Sequence, residues 1–96
     1  MDDSIAVIAK SEEDALEIMY DLQRENIIDS FDEEYEEVDN KENAIRLAAG
    51  IGLGVGAIYV NGSFEDDEEI VDRIVKHLDT YMADDDLLFS YSYAYA

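Results

Sequence analysis

Hydrophobic residues recur along the chain at two different spacings, and each spacing predicts a different kind of element. The run "SIAVIA", residues 4–9, is short, apolar and β-branched, which predicts a mostly buried strand. "GAIYV", residues 56–60, predicts another strand, followed by a turn at Asn61-Gly62. The tail "LLFSYSYAYA", residues 87–96, alternates with period two and predicts a strand with one aromatic face, formed by Leu87, Phe89, Tyr91, Tyr93 and Tyr95.

Two other segments repeat apolar residues every three or four positions, which is typical of amphipathic helices. The first begins after Ser11, a predicted N-cap with Asp14 three residues later, and is expected to extend to about Glu25. The second, which contains "FEDDEEIVDRIVKHL", begins after Ser63, its expected cap, and continues to Tyr81 or Met82.

The middle of the chain is less regular. "NIIDSFDEEYEEVDN", residues 26–40, has no cleanly apolar side and predicts an irregular or edge strand. "KENAIRLAA", residues 41–49, predicts a short helix that Asp39 caps and Gly50 closes. Glycine then alternates with apolar residues from Gly50 to Gly56, a pattern that leaves both a closely packed strand and a helix open.

The element order is therefore strand, helix, strand, short helix, strand, helix, strand. If the short helix is an elaborated connection, the order becomes β-α-β-β-α-β. This pattern predicts an α+β fold of the ferredoxin-like kind, with an antiparallel sheet and both main helices on one face. A chain of 96 residues is expected to form a single domain, residues 1–96.

The charge of the chain changes this picture. There are 26 acidic residues against six Lys and Arg, which gives a net charge of −20 at pH 7. So negative a field opposes direct binding to nucleic acid and to anionic membranes, because both attract cationic side chains. A net charge of magnitude roughly 2–8 is enough to keep a small domain soluble. The excess indicates that the crowded carboxylates have a function of their own.

Residues that could perform chemistry are few, and the sequence predicts no enzyme, no metal site and no cofactor. There is no cysteine, and the one histidine, His77, is expected at the surface near a helix C-terminus. "DEEYEEVDNKEN" lacks the glycine and the spacing of an EF-hand, and "GIGLGVG" lacks the lysine and spacing of a phosphate-binding loop. The acidic start "MDD" is unlike a signal peptide, and the apolar run 47–60 is too short to cross a bilayer, so a cytoplasmic location is expected.

The acidic runs have a charge spacing that can be compared with DNA. B-DNA carries one negative charge per ~1.7 Å of axis. Six acids between Glu65 and Asp72 would lie about 2 Å apart along a helix, and seven between Asp29 and Asp39 about 5 Å apart along an extended strand. Together with the first helix they are predicted to form one elongated negative surface that binds a partner. The predicted contact residues are Glu12, Glu13, Asp14, Glu17, Asp32, Glu33, Glu34, Glu36, Glu37, Asp39, Glu65, Asp66, Asp67, Glu68, Glu69 and Asp72.

In composition, length and the runs "EDDEE", "DEEYEEVD" and "SEED", the chain resembles the small acidic DNA-mimic inhibitors of phages, among them anti-restriction and anti-CRISPR proteins. The resemblance implies a stoichiometric inhibitor of a basic nucleic-acid-binding protein or complex, acting in the cytoplasm of a host cell. Two alternatives stay open: an acidic interaction module that does not mimic nucleic acid, and a housekeeping protein adapted to high salt. A homodimer through the tyrosine-rich last strand or a sheet edge is also compatible with the sequence.

Overall fold

The structure, a computed structural model, describes residues 3–38 and 56–96. Five strands in these residues form one sheet in the order β2-β5-β1-β3-β4. The strands are β1 (Asp3–Ala9), β2 (Ile28–Val38), β3 (Ala57–Val60), β4 (Ser63–Glu65) and β5 (Leu87–Tyr95). The helices are α1 (Glu12–Arg24), α2 (Glu68–Lys76) and α3 (Leu78–Tyr81). The predicted helix at 41–49 and the glycine-rich residues 50–55 lie outside the described residues.

The sheet is mixed. β1 runs parallel to β3, whereas β5 runs antiparallel to β1 and β2, and β4 antiparallel to β3. The α+β class is therefore confirmed, but the antiparallel, ferredoxin-like order is not found, and the last strand lies inside the sheet. β2 and β3 run in the same direction and are separated in the sheet by β5 and β1. The chain between Val38 and Ala57 is long enough for the crossover connection that strands of the same direction require.

Helices cover both faces of the sheet, which corrects the prediction that they share one face. On β1 the side chains alternate between two cores, because a strand buried on both faces places successive residues on opposite sides. One core lies under α1 and contains Ile5, Val7, Ala9, Ala15, Met19 and Leu22. The other lies under α2 and α3 and contains Ala6, Ile8, Val71, Ile74 and Leu78.

The start of α2 differs from the prediction. Ser63 does not cap it, because Ser63 pairs with Val60 at the first position of β4. Asn61 and Gly62 form the two-residue turn between these strands, with φ of 53° and 79°, and the left-handed conformation at both positions matches the twist of a hairpin. The N-cap is Asp67, whose side chain accepts hydrogen bonds from the backbone of Glu69 and Ile70. At α1, by contrast, the predicted cap Ser11 is confirmed by its hydrogen bond from the Asp14 backbone at 3.2 Å.

β5 carries the aromatic face that its period-two pattern predicts. Phe89, Tyr91 and Tyr93 point into the core under α1, so they are packing residues. Tyr91 and Tyr93 are 1% and 0% exposed, and neither hydroxyl has a hydrogen-bond partner in the part of the chain that the structure describes. Both edges of β5 are paired, one with β2 and one with β1. β5 therefore has no free edge in the described sheet, and a homodimer through the last strand or a sheet edge stays a prediction.

Candidate functional site

The first candidate site is formed by the exposed carboxylates of α1 and of β2, which lie side by side. We call it the α1–β2 acidic surface, and it comprises Glu12, Glu13, Glu17, Asp21, Asp29, Asp32, Glu33 and Glu34. Two hydrogen bonds hold the elements together. Gln23 Nε2 donates to the Asp29 carbonyl oxygen at 3.1 Å, and the Tyr20 hydroxyl donates to the Glu33 carboxylate.

Tyr20 links this surface to the core. Its ring meets Phe31 edge to face with centroids 5.1 Å apart, and Phe31 in turn meets the buried ring of Tyr91 at 6.0 Å. The hydrogen bond to Glu33 raises the pKa of the Tyr20 hydroxyl, because the neighbouring carboxylate disfavours a second negative charge. The ring and the hydroxyl are thus both held in place, and Tyr20 is still 36% exposed.

A bulge in β2 gathers three of the acids. Phe31 pairs with Tyr93 of β5, and the next pair is Tyr35 with Tyr91. Three residues of β2, Asp32 to Glu34, therefore stand opposite the single residue between Tyr91 and Tyr93. The Glu34 backbone N–H donates to Asp32 Oδ1 at 3.0 Å and stabilises the bend. Bulges and charges at a sheet edge discourage pairing with another strand, and here the bulge also crowds consecutive carboxylates at that edge.

Little positive charge offsets this surface. Between Glu12 and Tyr35 the sequence has ten acids and one base, Arg24. Arg24 is paired with Asp21 one helical turn away. Both side chains are more than half exposed, so the pair is weak and contributes little to stability. Among the basic side chains that the structure describes, Arg24 alone forms an ion pair with a carboxylate of this surface.

The second candidate site is the run from Glu65 to Asp72, and much of it serves local structure. Glu65 ends β4 and accepts a hydrogen bond from Ser63 Oγ at 2.7 Å. Asp67 caps α2, with its Oδ1 2.9 Å from the Glu69 backbone nitrogen. Asp72 pairs with Lys76 at 2.8 Å. Because the helix begins only at Glu68, the predicted spacing of about 2 Å per charge along a helix was wrong for Glu65, Asp66 and Asp67.

Among the acids whose side chains the structure describes, the predicted single elongated surface is not observed. α1 lies on one face of the sheet beside the β2 edge, whereas α2 lies on the other face and β4 at the opposite edge. The structure therefore brings together the predicted residues of α1 and β2 and separates them from those between Glu65 and Asp72. Asp39 lies outside the described residues, and of Glu36 and Glu37 only the backbone is described.

A shallow cleft at the carboxyl ends of β1 and β3 was missed by the sequence analysis. Its volume is about 450 Å³, and its lining includes Lys10, Asp14, Tyr59, Asn61 and Asp86. Lys10 Nζ lies 2.8 Å from Asp85 and 3.4 Å from Asp86. These bonds raise the pKa of Lys10, and the same contact lowers the pKa of Asp85. Asp14, a predicted contact residue near the start of α1, is exposed and lines this cleft. Only the parallel pairing of β1 and β3, which the prediction did not include, could have indicated a crevice here.

Within residues 3–38 and 56–96, no group of three or more His, Asp and Glu side chains is arranged to hold a metal ion. His77 is exposed at the C-cap of α2, as predicted. No helix in the described residues has both the length and the apolar character needed to cross a membrane. Comparison with known proteins gives no match to a family model, a curated protein or a solved structure.

Proposed function

We propose that this chain is a stoichiometric inhibitor that presents carboxylates where a nucleic acid presents phosphates. Its partner is a basic nucleic-acid-binding protein or complex, of the host-defence or nucleic-acid-processing kind that anti-CRISPR and anti-restriction proteins block. The observation that carries the proposal is the α1–β2 acidic surface, in which eight exposed carboxylates are accompanied, among the described residues, by one paired arginine. The chain acts by occupying a binding groove, without catalysis and without binding nucleic acid itself.

The charge density of this surface is in the range of nucleic acids. α1 has 13 residues and is about 20 Å long. Eight carboxylates and the one arginine leave seven net negative charges over that length, or about one per 2.8 Å. This value lies between ~1.7 Å for duplex DNA and ~3.4 Å for one of its strands. The α1–β2 acidic surface therefore presents a density of negative charge similar to that of a nucleic acid to a groove whose Lys and Arg residues match phosphate spacing.

Electrostatics supports both the rate and the selectivity of such binding. A net charge of −20 attracts a basic groove over several ångströms and repels other acidic proteins and nucleic acid. Counterions condensed along the α1–β2 acidic surface are released when the partner's cations replace them, as happens when a protein binds DNA. The cost of keeping like charges close together in the free chain is then offset in the complex.

The run from Glu65 to Asp72 has a lesser part in the proposal. Asp67 and Asp72 already bind within the chain, and Arg73 and Lys76 lie on the same helix. The α1–β2 acidic surface is therefore the contact region, with the second run adding to the long-range field. Substitutions that reverse the charge of acids on α1 and β2 therefore test the proposed contact region.

The test uses the chain as bait in a nuclease-treated host lysate, with elution by a salt gradient. A retained protein is then purified and its binding to its own DNA or RNA is measured as the chain is added. We expect loss of nucleic-acid binding that is complete at one equivalent of chain per site. If a retained protein binds nucleic acid equally well with the chain bound, the chain is an acidic interaction module of another kind. If the chain folds only in molar salt, adaptation to high salt explains its charge.

A further inference from the structure

An exposed tyrosine such as Tyr20 is not expected on a surface whose only role is to carry charge. It occupies the exposed side of α1, where Glu13 and Glu17 lie seven and three residues before it on the same flank. A glutamate at position 20 would increase the charge density, whereas a tyrosine exposes an aromatic ring. Of the described residues, Tyr20 and Tyr95 are the large hydrophobic side chains that are exposed.

The ring of Tyr20 is held rather than free. It is the outer end of a row of edge-to-face contacts that runs through Phe31 to the buried Tyr91. Its hydroxyl is fixed by the Glu33 carboxylate. A ring fixed in this way loses little conformational entropy on binding, which is one reason why tyrosines are frequent at the energetic centres of protein interfaces.

We propose that Tyr20 is the anchor of the α1–β2 acidic surface and that it stacks with an arginine of the partner, in preference to a lysine. This inference rests on the proposed function and specifies the partner's chemistry. A guanidinium is planar, stacks on an aromatic face and has five N–H groups for the surrounding carboxylates. An ammonium is a compact, strongly hydrated charge that gains less from a ring. Glu17 and Asp21 are the carboxylates of this surface closest to Tyr20 along α1, and Glu33 accepts the hydrogen bond of the Tyr20 hydroxyl.

The pairing of Arg24 with Asp21 on the same helix supports this chemistry. A guanidinium is already accommodated one turn from Tyr20, against a carboxylate of the same surface. The partner's arginine would add a second guanidinium between Tyr20 and the acids of the β2 bulge. Duplex DNA presents its bases stacked inside the helix, so an exposed ring distinguishes this chain from a simple copy of the phosphate backbone.

The test compares two peptides of equal charge, octa-arginine and octa-lysine, by isothermal titration at low salt with the folded chain. We expect octa-arginine to bind about two- to fivefold more tightly than octa-lysine, the range of a cation–π contact at an exposed site. Tyr20→Leu should abolish the preference, whereas Tyr20→Phe, which keeps the ring, should retain it. Tyr95→Leu is the matched control, because Tyr95 is the other exposed tyrosine and lies at the end of β5.

A second measurement does not depend on the variants' folding. In the wild-type chain, nuclear Overhauser contacts are expected between the Tyr20 ring protons and the arginine Cδ protons of the bound peptide. Equal affinity for the two peptides would overturn the role of Tyr20 while leaving charge mimicry standing, and so would a preference that persists in Tyr20→Leu or disappears equally in Tyr95→Leu. Failure to bind either peptide would overturn both this inference and the proposed function.

Discussion

The Tyr20 hydroxyl donates a hydrogen bond to the Glu33 carboxylate and so connects α1 to the bulge of β2. The two residues are thirteen positions apart, and their contact makes the acids of a helix and a strand into one surface. A second hydrogen bond, from Gln23 to the Asp29 carbonyl oxygen, joins the same two elements before the bulge. The Tyr20–Glu33 bond is the one of the two that reaches the acids of the bulge itself.

Replacing Glu33 with glutamine should lower the pKa of Tyr20 towards its ordinary value of 10.0. The carboxylate raises that pKa by accepting the hydroxyl proton and by opposing a second negative charge, and a neutral amide does less of both. The measurement is an NMR titration of the Tyr20 ring between pH 8 and 12. Glu34→Gln is the control and should leave the titration unchanged. An identical Tyr20 curve in Glu33→Gln would contradict the contact.

Asp67→Ala should destabilise the fold by about 1 kcal/mol, the usual cost of losing an N-cap side chain. Asp67 accepts from the first free N–H groups of α2, at Glu69 and Ile70. Urea unfolding followed by circular dichroism measures the change. The neighbouring Asp66→Ala removes an equal charge without a cap and should have little effect. If Asp66→Ala and Asp67→Ala were equally destabilising, the cap would have no special role.

Tyr91→Phe should leave the stability unchanged or raise it by up to about 1–3 kcal/mol, the cost of burying a polar group without a partner. The Tyr91 hydroxyl is buried and has no hydrogen-bond partner among the described residues. Thermal and urea unfolding of the variant and the wild type provide the comparison. Tyr95→Phe, at an exposed position, should be neutral. A loss of more than about 1 kcal/mol in Tyr91→Phe would mean that the hydroxyl is bonded.

Alkaline pH should unfold the protein through its buried tyrosines. Burial raises the pKa of Tyr91 from 10.0 to about 12, and it raises the pKa of Tyr93 in the same direction. The unfolded chain therefore loses these protons first, so the stabilisation is complete below pH 10 and declines as the pH rises from 10 to about 12. Urea midpoints measured at intervals of half a pH unit should fall over that window. The fall should be shallower in Tyr91→Phe, and an equal slope in both proteins would contradict the assignment.

Much of the local structure followed from the sequence, and the reasons are visible in particular residues. The alternation in β5 predicted the aromatic face, Ser11 predicted the cap of α1, and Asn61-Gly62 predicted the turn. The cap of α2 was misplaced because Ser63 and Asp67 are both good N-cap residues. The choice between them depends on the pairing of Ser63 with Val60, which is a tertiary contact.

The arrangement of the elements was harder to predict because the single apolar run of β1 contributes residues to two cores, one on each face of the sheet. Its apolar residues are continuous since Ile5 and Val7 face α1 while Ala6 and Ile8 face α2 and α3. Such continuity is typical of a strand covered on both faces, and it is evidence against helices on a single face. None of the acids in the described residues is buried, as expected. Which of them adjoin depends on the sheet order, so the sequence could not separate the α1–β2 acidic surface from the run at Glu65 to Asp72.

The proposed function requires that the carboxylates of α1 and β2 replace phosphates in a partner's cationic groove. This requirement is tested by measuring the affinity of the chain for the captured partner as a function of salt, for the wild type and two triple variants of equal charge change. One variant is Glu13→Lys, Glu17→Lys, Glu34→Lys. The other is Asp66→Lys, Glu69→Lys, Asp79→Lys, in which Asp79 is an exposed residue of α3. We expect wild-type binding to weaken steeply with salt.

The α1–β2 variant should bind about a hundredfold or more weakly with a flatter salt dependence, because opposed like charges cost several kcal/mol. The other variant should stay closer to the wild type. Binding that is insensitive to salt, or equally weakened by both variants, would contradict the claim.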